Sequence, residues 1–141
     1  MGAYHTSWFS YAAVGNLDFW VTSLGQVALD KDFIDFLTEG KYILKYKRSF
    51  INEHCLEMEL IFLQKFLTDF KIVPILLSEA DSFLIEKLAE KIAQKIDEKT
   101  LVVVSSDLSY YTTYDLAKKA DKKTIKTILL GERKVFEKKD F

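Results

Sequence analysis

The feature that most constrains the fold is a strand, helix, strand pattern in the second half of the sequence. Residues 71–77 form a short β-rich run that contains Pro74, and residues 101–104 (LVVV) form an uninterrupted apolar run. Between them, apolar residues recur with helical spacing from Leu84 to Ile96. Such crossover units almost always join parallel strands with a right-handed connection. The sequence therefore predicts an α/β protein, with a partly parallel sheet flanked by helices in three layers.

The rest of the chain predicts one hairpin and three further helices. Residues 17–29 alternate in polarity around a glycine turn, as in a hairpin of two short strands. Asp30 is placed to cap a short helix, and an amphipathic helix is expected after Asn52. Thr112 begins a capping box for the last helix, which Gly131 is placed to end.

The composition narrows the class of protein and its partners. An apolar content of 49 % is enough for a real core, so we expect a folded chain and not a disordered one. Twenty basic against 21 acidic residues provide no basic field for nucleic acid. With no long apolar run, no signal-peptide pattern and a single cysteine, we expect no membrane association and a cytoplasmic location. With no repeat or linker composition, we expect residues 1–141 to form a single domain.

The carboxyl end of the predicted strand at residues 101–104 is the place where an open α/β sheet gathers ligands. Ser105, Ser106 and Asp107 occupy that place, and Tyr110 follows them. Asp107 is a candidate for orienting a base or a metal ligand, and the two serines and Tyr110 are candidates for substrate contacts. The alternative is a local role, because Ser and Asp also satisfy backbone groups in turns.

Histidine offers a second set of candidates. His54 follows Glu53 at the start of the amphipathic helix, where the imidazole is a candidate base or ligand and Glu53 a candidate partner for fixing its tautomer. A structural role for His54 is the alternative. His5 is the only other histidine, so two histidines and Cys55 cannot complete a closed zinc site without carboxylates.

Several segments together resemble the Memo-like family, which includes the Memo part of the AmmeMemoRadiSam proteins and is similar in fold to class III extradiol dioxygenases. The segments, in chain order, are HT at residues 5–6, WVTSLG at 20–25, EHCLEMEL at 53–60 with FLQ at 62–64, VPIL at 73–76 and VVVSSDLSYY at 102–111. Leaving out VPIL, they are similar in the same order to the family's G-P-N-H-T, W-x-T-P-L-G, EHS-[IL]-E-x-x-L-P-[FY]-L-Q and V-V-S-S-D-[FL]-S-H-Y stretches.

The resemblance implies a metal site formed by two histidines and a late cysteine, and only His5 matches it. The earlier His-Ala-Gly-Tyr segment and the late cysteine segment have no counterpart in residues 1–141. Tyr110 replaces a family histidine, and a phenol with a pKa near 10 is a poor base at neutral pH. We therefore expect a degenerate or non-catalytic member, shortened at both ends, without a cofactor.

The alternative is a metal-dependent oxidoreductase in which His5, His54 and Asp107 bind one ion of iron, copper or zinc. Two histidines and one carboxylate are the ligand set of non-haem iron oxygenases. In either case, a shortened Memo-like fold is incomplete relative to the family and should expose a sheet edge. Such an edge favours a homo-oligomer or a partner chain.

Overall fold

The computed structural model describes residues 1–3, 10–50, 53–78, 81–109 and 113–131, without the side chains of residues 48 and 49. The chain divides into two compact units, Met1–Ser105 and Ser106–Phe141. The expectation of a single domain over residues 1–141 stays a prediction.

Among the described residues, the first unit contains six short strands, three α-helices and one 3-10 helix, and the second contains one long α-helix. In chain order they are β1 (Gly2–Ala3), β2 (Ala12–Val14), β3 (Phe19–Thr22), β4 (Gly25–Ala28), α1 (Lys31–Leu37), β5 (Ile43–Lys45), a 3-10 helix (Lys47–Phe50), α2 (Cys55–Phe66), β6 (Ile75–Leu77), α3 (Ser82–Ala93) and α4 (Tyr114–Leu130).

The main sheet is mixed and has the strand order β1-β6-β2-β5. β6 is parallel to β1 and antiparallel to β2, so Leu76 lies between Gly2 and Ala13. β5 is parallel to β2. With helices packed on a mixed sheet, the prediction of an α/β fold is confirmed.

The core is built around the two inner strands of the sheet. Ala12, Ala13 and Val14 of β2 are fully buried, as is Leu76 of β6. Ile34 and Leu37 of α1 are also buried. Among the described residues, no helix combines the length and apolarity needed to span a bilayer.

Residues 101–104 only partly follow the prediction of a strand, because their pairing is limited to one residue. The Met1 amine donates to the Val103 carbonyl at 2.7 Å, and the Ser105 N–H donates to the Met1 carbonyl at 2.8 Å. These two bonds are the pattern of a parallel pair in which Val104 lies opposite Met1. The run therefore lies along the outer edge of β1, which separates it from β6. The predicted strand, helix, strand unit is therefore present only in part: β6 and α3 form, whereas residues 101–104 form no strand and, within the described part of the chain, bond to Met1 alone.

The hairpin and the helix boundaries mostly follow local sequence signals. β3 and β4 pair antiparallel, as predicted, and Gly25 at the turn has a φ of 121°. Asp30 accepts a hydrogen bond from the Phe33 N–H at 3.0 Å and caps α1. Gly131, with a φ of 66°, ends α4 in the left-handed conformation. The predicted caps Asn52 and Thr112 lie outside the described residues.

Candidate functional site

A cavity of about 820 Å³ with a mainly apolar lining, here called the apolar cleft, lies in the first unit. Its walls come from α2, the residues before β6, the end of α3 and residues 101–103. Apolar side chains on these walls include Leu60, Leu63, Ile72, Ile92, Ile96 and Val103. Charged residues such as Glu59 and Lys95 also line it. The chemistry of this surface suits an apolar group with a polar periphery.

A second cavity of about 460 Å³ lies between the β3–β4 hairpin and the start of α2. Its lining combines Trp20 and Phe50 with the side chains of Glu53, His54 and Glu57. His54 and Glu57 are three positions apart, so one turn of α2 brings them to the same side. This cavity is where the predicted site residue His54 lies.

Glu53 acts mainly on the backbone of α2. Its side chain is only 1 % exposed, and its Oε1 accepts hydrogen bonds from the N–H groups of His54 at 3.0 Å and Cys55 at 3.2 Å. The same oxygen is 3.9 Å from His54 Nδ1, which is too long for a hydrogen bond. The His54 side chain is 78 % exposed. Glu53 therefore caps the helix, and this contact does not fix the imidazole tautomer as predicted.

Cys55 links α2 to the sheet. Its Sγ donates to the Ala3 carbonyl at 3.3 Å. Burial, followed by the negative charge of Glu53 and a hydrogen bond to it, raises the pKa of the Cys55 thiol to about 12. The residue is therefore a protonated thiol at neutral pH. It has neither the charge of a nucleophile nor that of a metal ligand.

Of the predicted Ser-Ser-Asp site, Ser105 is the last residue of the first unit, and Ser106 and Asp107 begin the second. In the first unit, Ser105 bonds to Met1 through its backbone N–H. In the second unit, Ser106 Oγ accepts from the Leu108 N–H at 3.2 Å, which is the local turn role considered above as the alternative. The Asp107 side chain is exposed.

The proposed convergence of His5, His54 and Asp107 stays a prediction, because His5 and Tyr110 lie outside the described residues. Within the described ranges, no three His, Cys, Asp or Glu side chains come together in a way that could hold a metal ion.

Two acidic residues that the sequence analysis did not single out have defined positions. Asp121 of α4 accepts hydrogen bonds from both the N–H and the Oγ of Ser109, at 2.9 and 2.6 Å. Nothing in the local sequence distinguishes Asp121 from other polar residues of that helix. Glu57 shares the smaller cavity with His54, and its spacing of three from that residue was a usable signal.

The fold and its cavities thus define an α/β protein with a small mixed sheet and an open apolar cleft. The family model described as Memo-like protein matches residues 1–139, so the chain belongs to the Memo-like family. A MEMO1 family protein of Methanobrevibacter smithii is 35 % identical over 125 residues, which are 86 % of this chain and 44 % of the relative. A MEMO1 family protein of Saccharolobus solfataricus is 34 % identical over 134 residues, which are 91 % and 47 % of the two chains.

The chain therefore spans about half the length of the curated relatives it matches. No solved structure matches it.

Proposed function

We propose that the chain is a non-catalytic Memo-like protein that works by binding a partner polypeptide over the apolar cleft. The observation that carries this proposal is the cleft itself, which is about 820 Å³ in volume and lined largely by aliphatic side chains. Single exposed apolar residues are ordinary, but a contiguous apolar surface of this kind marks an interaction site. The cleft offers contact area rather than a reactive group.

The partner that fits this surface is a polypeptide equivalent to the rest of a Memo-like protein. The matched stretch is 44 % of the Methanobrevibacter relative and 47 % of the Saccharolobus relative. More than half of each relative therefore lies outside the match. A domain of that length builds a continuous core, so the unmatched part is expected to cover apolar surface on the matched part.

The charged residues around the cleft support a macromolecular partner rather than a small apolar ligand. Lys95, Asp97 and Lys99 line it after the end of α3, and Lys71 lines it before β6. Interfaces between polypeptides combine an apolar centre with a polar rim of this type. A small ligand needs only a few polar groups that fix its orientation.

The test is to measure binding of this chain to the part of the Methanobrevibacter relative that lies outside the match, by titration calorimetry. Ile96 lines the cleft and is 41 % exposed, so Ile96→Asn should weaken binding about tenfold or more. Ile85, which is 48 % exposed and outside the cleft lining, provides the matched control. Ile85→Asn should bind like the wild type. Absence of binding by the wild type, or equal loss in both variants, would contradict the proposal.

A further inference from the structure

We propose that the partner adds a β-strand to the outer edge of residues 102–104, which we call the open edge. This inference rests on the proposed function, because it names the position and the mode of pairing for the same partner. Strand addition uses backbone hydrogen bonds for affinity and side-chain contacts for selectivity.

The direction of the backbone groups defines the open edge. The Val103 carbonyl and the Ser105 N–H both bond to Met1, so they point towards β1. In extended backbone, the next residue points its N–H and carbonyl to the opposite side. The N–H and carbonyl of Val104 therefore point away from β1. Within the described part of the chain, no backbone hydrogen bond joins them to another strand.

The side chains along the open edge are also unprotected. Leu101 is 67 % exposed, Val102 is 47 % exposed and Val104 is 64 % exposed. Monomeric proteins usually block such an edge with a lysine, a proline or a bulge. Residues 101–105 (LVVVS) contain no charge and no proline, and they are rich in β-branched side chains. The run has the composition of an inner strand in an edge position.

The length comparison indicates what pairs there. The family model includes residues 101–105, whereas more than half of each relative lies outside the matched stretch. The occupant we infer is a strand of that unmatched part, extended and apolar on the face that continues the cleft. Residues 101–103 line the apolar cleft, so the same partner contacts the cleft and the open edge. A second copy of this chain is the competing occupant.

The experiment compares Val104→Pro with Val104→Thr for binding to the unmatched part of the Methanobrevibacter relative. Proline removes the outward N–H but leaves both hydrogen bonds to Met1, because those use Val103 and Ser105. Threonine keeps the N–H and the β-branched shape. We expect Val104→Pro to lose about tenfold or more in affinity and Val104→Thr to stay within about threefold of the wild type.

Hydrogen exchange provides a second readout that does not depend on a variant. The Val104 amide of the wild type should become protected when the partner is added, and circular dichroism should show that Val104→Pro remains folded. If that variant unfolds, protection of the wild-type Val104 amide decides the question.

No partner binding by the wild type would overturn the proposed function as well. Equal binding by wild type and Val104→Pro, or no protection on binding, would overturn only the open edge. Protection of Val104 in the chain alone at high concentration would assign the edge to a second copy and overturn the inferred occupant.

Discussion

Glu53 Oε1 lies 3.2 Å from the backbone nitrogen of Cys55 and accepts its hydrogen bond at the first turn of α2. The Glu53 side chain is almost fully buried, so this bond is shielded from water. The same carboxylate adds to the effect of burial on the Cys55 thiol. One residue therefore both caps the helix and keeps a neighbouring thiol neutral.

The first prediction concerns the capping role. Glu53→Ala should lower the free energy of unfolding by about 1–3 kcal/mol, because the N–H groups of His54 and Cys55 at the start of α2 lose their acceptor. Glu57 lies in the first turn of α2, and Glu57→Ala should cost about 0.5 kcal/mol or less. Urea denaturation of the two variants checks this. A similar loss of unfolding free energy in both variants would show that the hydrogen bonds of Glu53 contribute no more to stability than the Glu57 side chain does.

The second prediction concerns the reactivity of Cys55. With a pKa raised to about 12, the thiolate is scarce at pH 8, so alkylation by iodoacetamide should be at least about 100-fold slower than for an exposed peptide cysteine. Glu53→Gln should speed the reaction, because it removes the negative charge that opposes ionisation. A rate equal to that of the peptide cysteine in the folded wild type would contradict the prediction.

The same shift predicts a pH dependence of stability. The folded pKa lies above the unfolded value, so the folded state binds the thiol proton more tightly. This contribution is complete below the unfolded pKa, near 9, and is lost as the pH rises towards 12. As the pH rises from about 9 to about 12, the free energy of unfolding of Cys55→Ala should therefore fall less than that of the wild type. Parallel curves for the two proteins in alkaline denaturation would exclude this contribution.

Local signals in the sequence predicted the elements that depend on local contacts. Asp30 and Gly131 mark helix ends with their own side chain or backbone conformation, and both positions are confirmed. β1 and β2 were not predicted, because their strands are only two and three residues long and their alanine and glycine residues have low β propensity. Those strands exist through pairing with β6, more than 60 residues away along the chain.

The candidate site was harder to predict, because motif order does not determine distance in space. His54 belongs to the first unit and Asp107 to the second, so the proposed convergence of these two residues stays a prediction. The hydrogen-bonded aspartate of the second unit is Asp121, which no motif includes. Glu53 shares the smaller cavity with Trp20 of the hairpin and with Phe50, and a helix-start pattern does not encode that tertiary neighbourhood.

The third prediction separates these two aspartates. Asp121→Asn should loosen the turn at Ser109, since it removes the charge from the oxygen that accepts both Ser109 bonds. We expect the Ser109 amide to exchange about tenfold faster, which corresponds to about 1.4 kcal/mol of local stability. Asp107→Asn should leave that rate unchanged. Faster exchange in Asp107→Asn alone would assign the structural role to Asp107 instead.

The fourth prediction concerns metal. We expect protein purified without chelator to hold iron, copper and zinc well below one equivalent, because only His5 of the three family ligands has a match in residues 1–141. Elemental analysis of the wild type and His5→Ala provides the measurement. One equivalent of metal in the wild type that is lost in His5→Ala would favour the metal-dependent oxidoreductase instead.

The last prediction is self-association through α2. Met58, Phe62 and Phe66 are four positions apart, so they form one stripe along the helix. The two phenylalanines are 62 % and 84 % exposed, and neither lines the apolar cleft. Apolar stripes of this kind promote association in water, so the wild type should form oligomers at high concentration in sedimentation velocity.

Replacing both phenylalanines of this stripe by serine should shift the chain towards monomer. It should change the free energy of unfolding by no more than about 0.5 kcal/mol for each residue, because exposed side chains contribute little to the core. Tyr114→Ser provides a control, since Tyr114 is an exposed aromatic residue of another helix, α4, and is 75 % exposed. That control should sediment like the wild type. A wild type that stays monomeric at high concentration, or a Tyr114→Ser variant that dissociates equally, would exclude the α2 stripe as the cause.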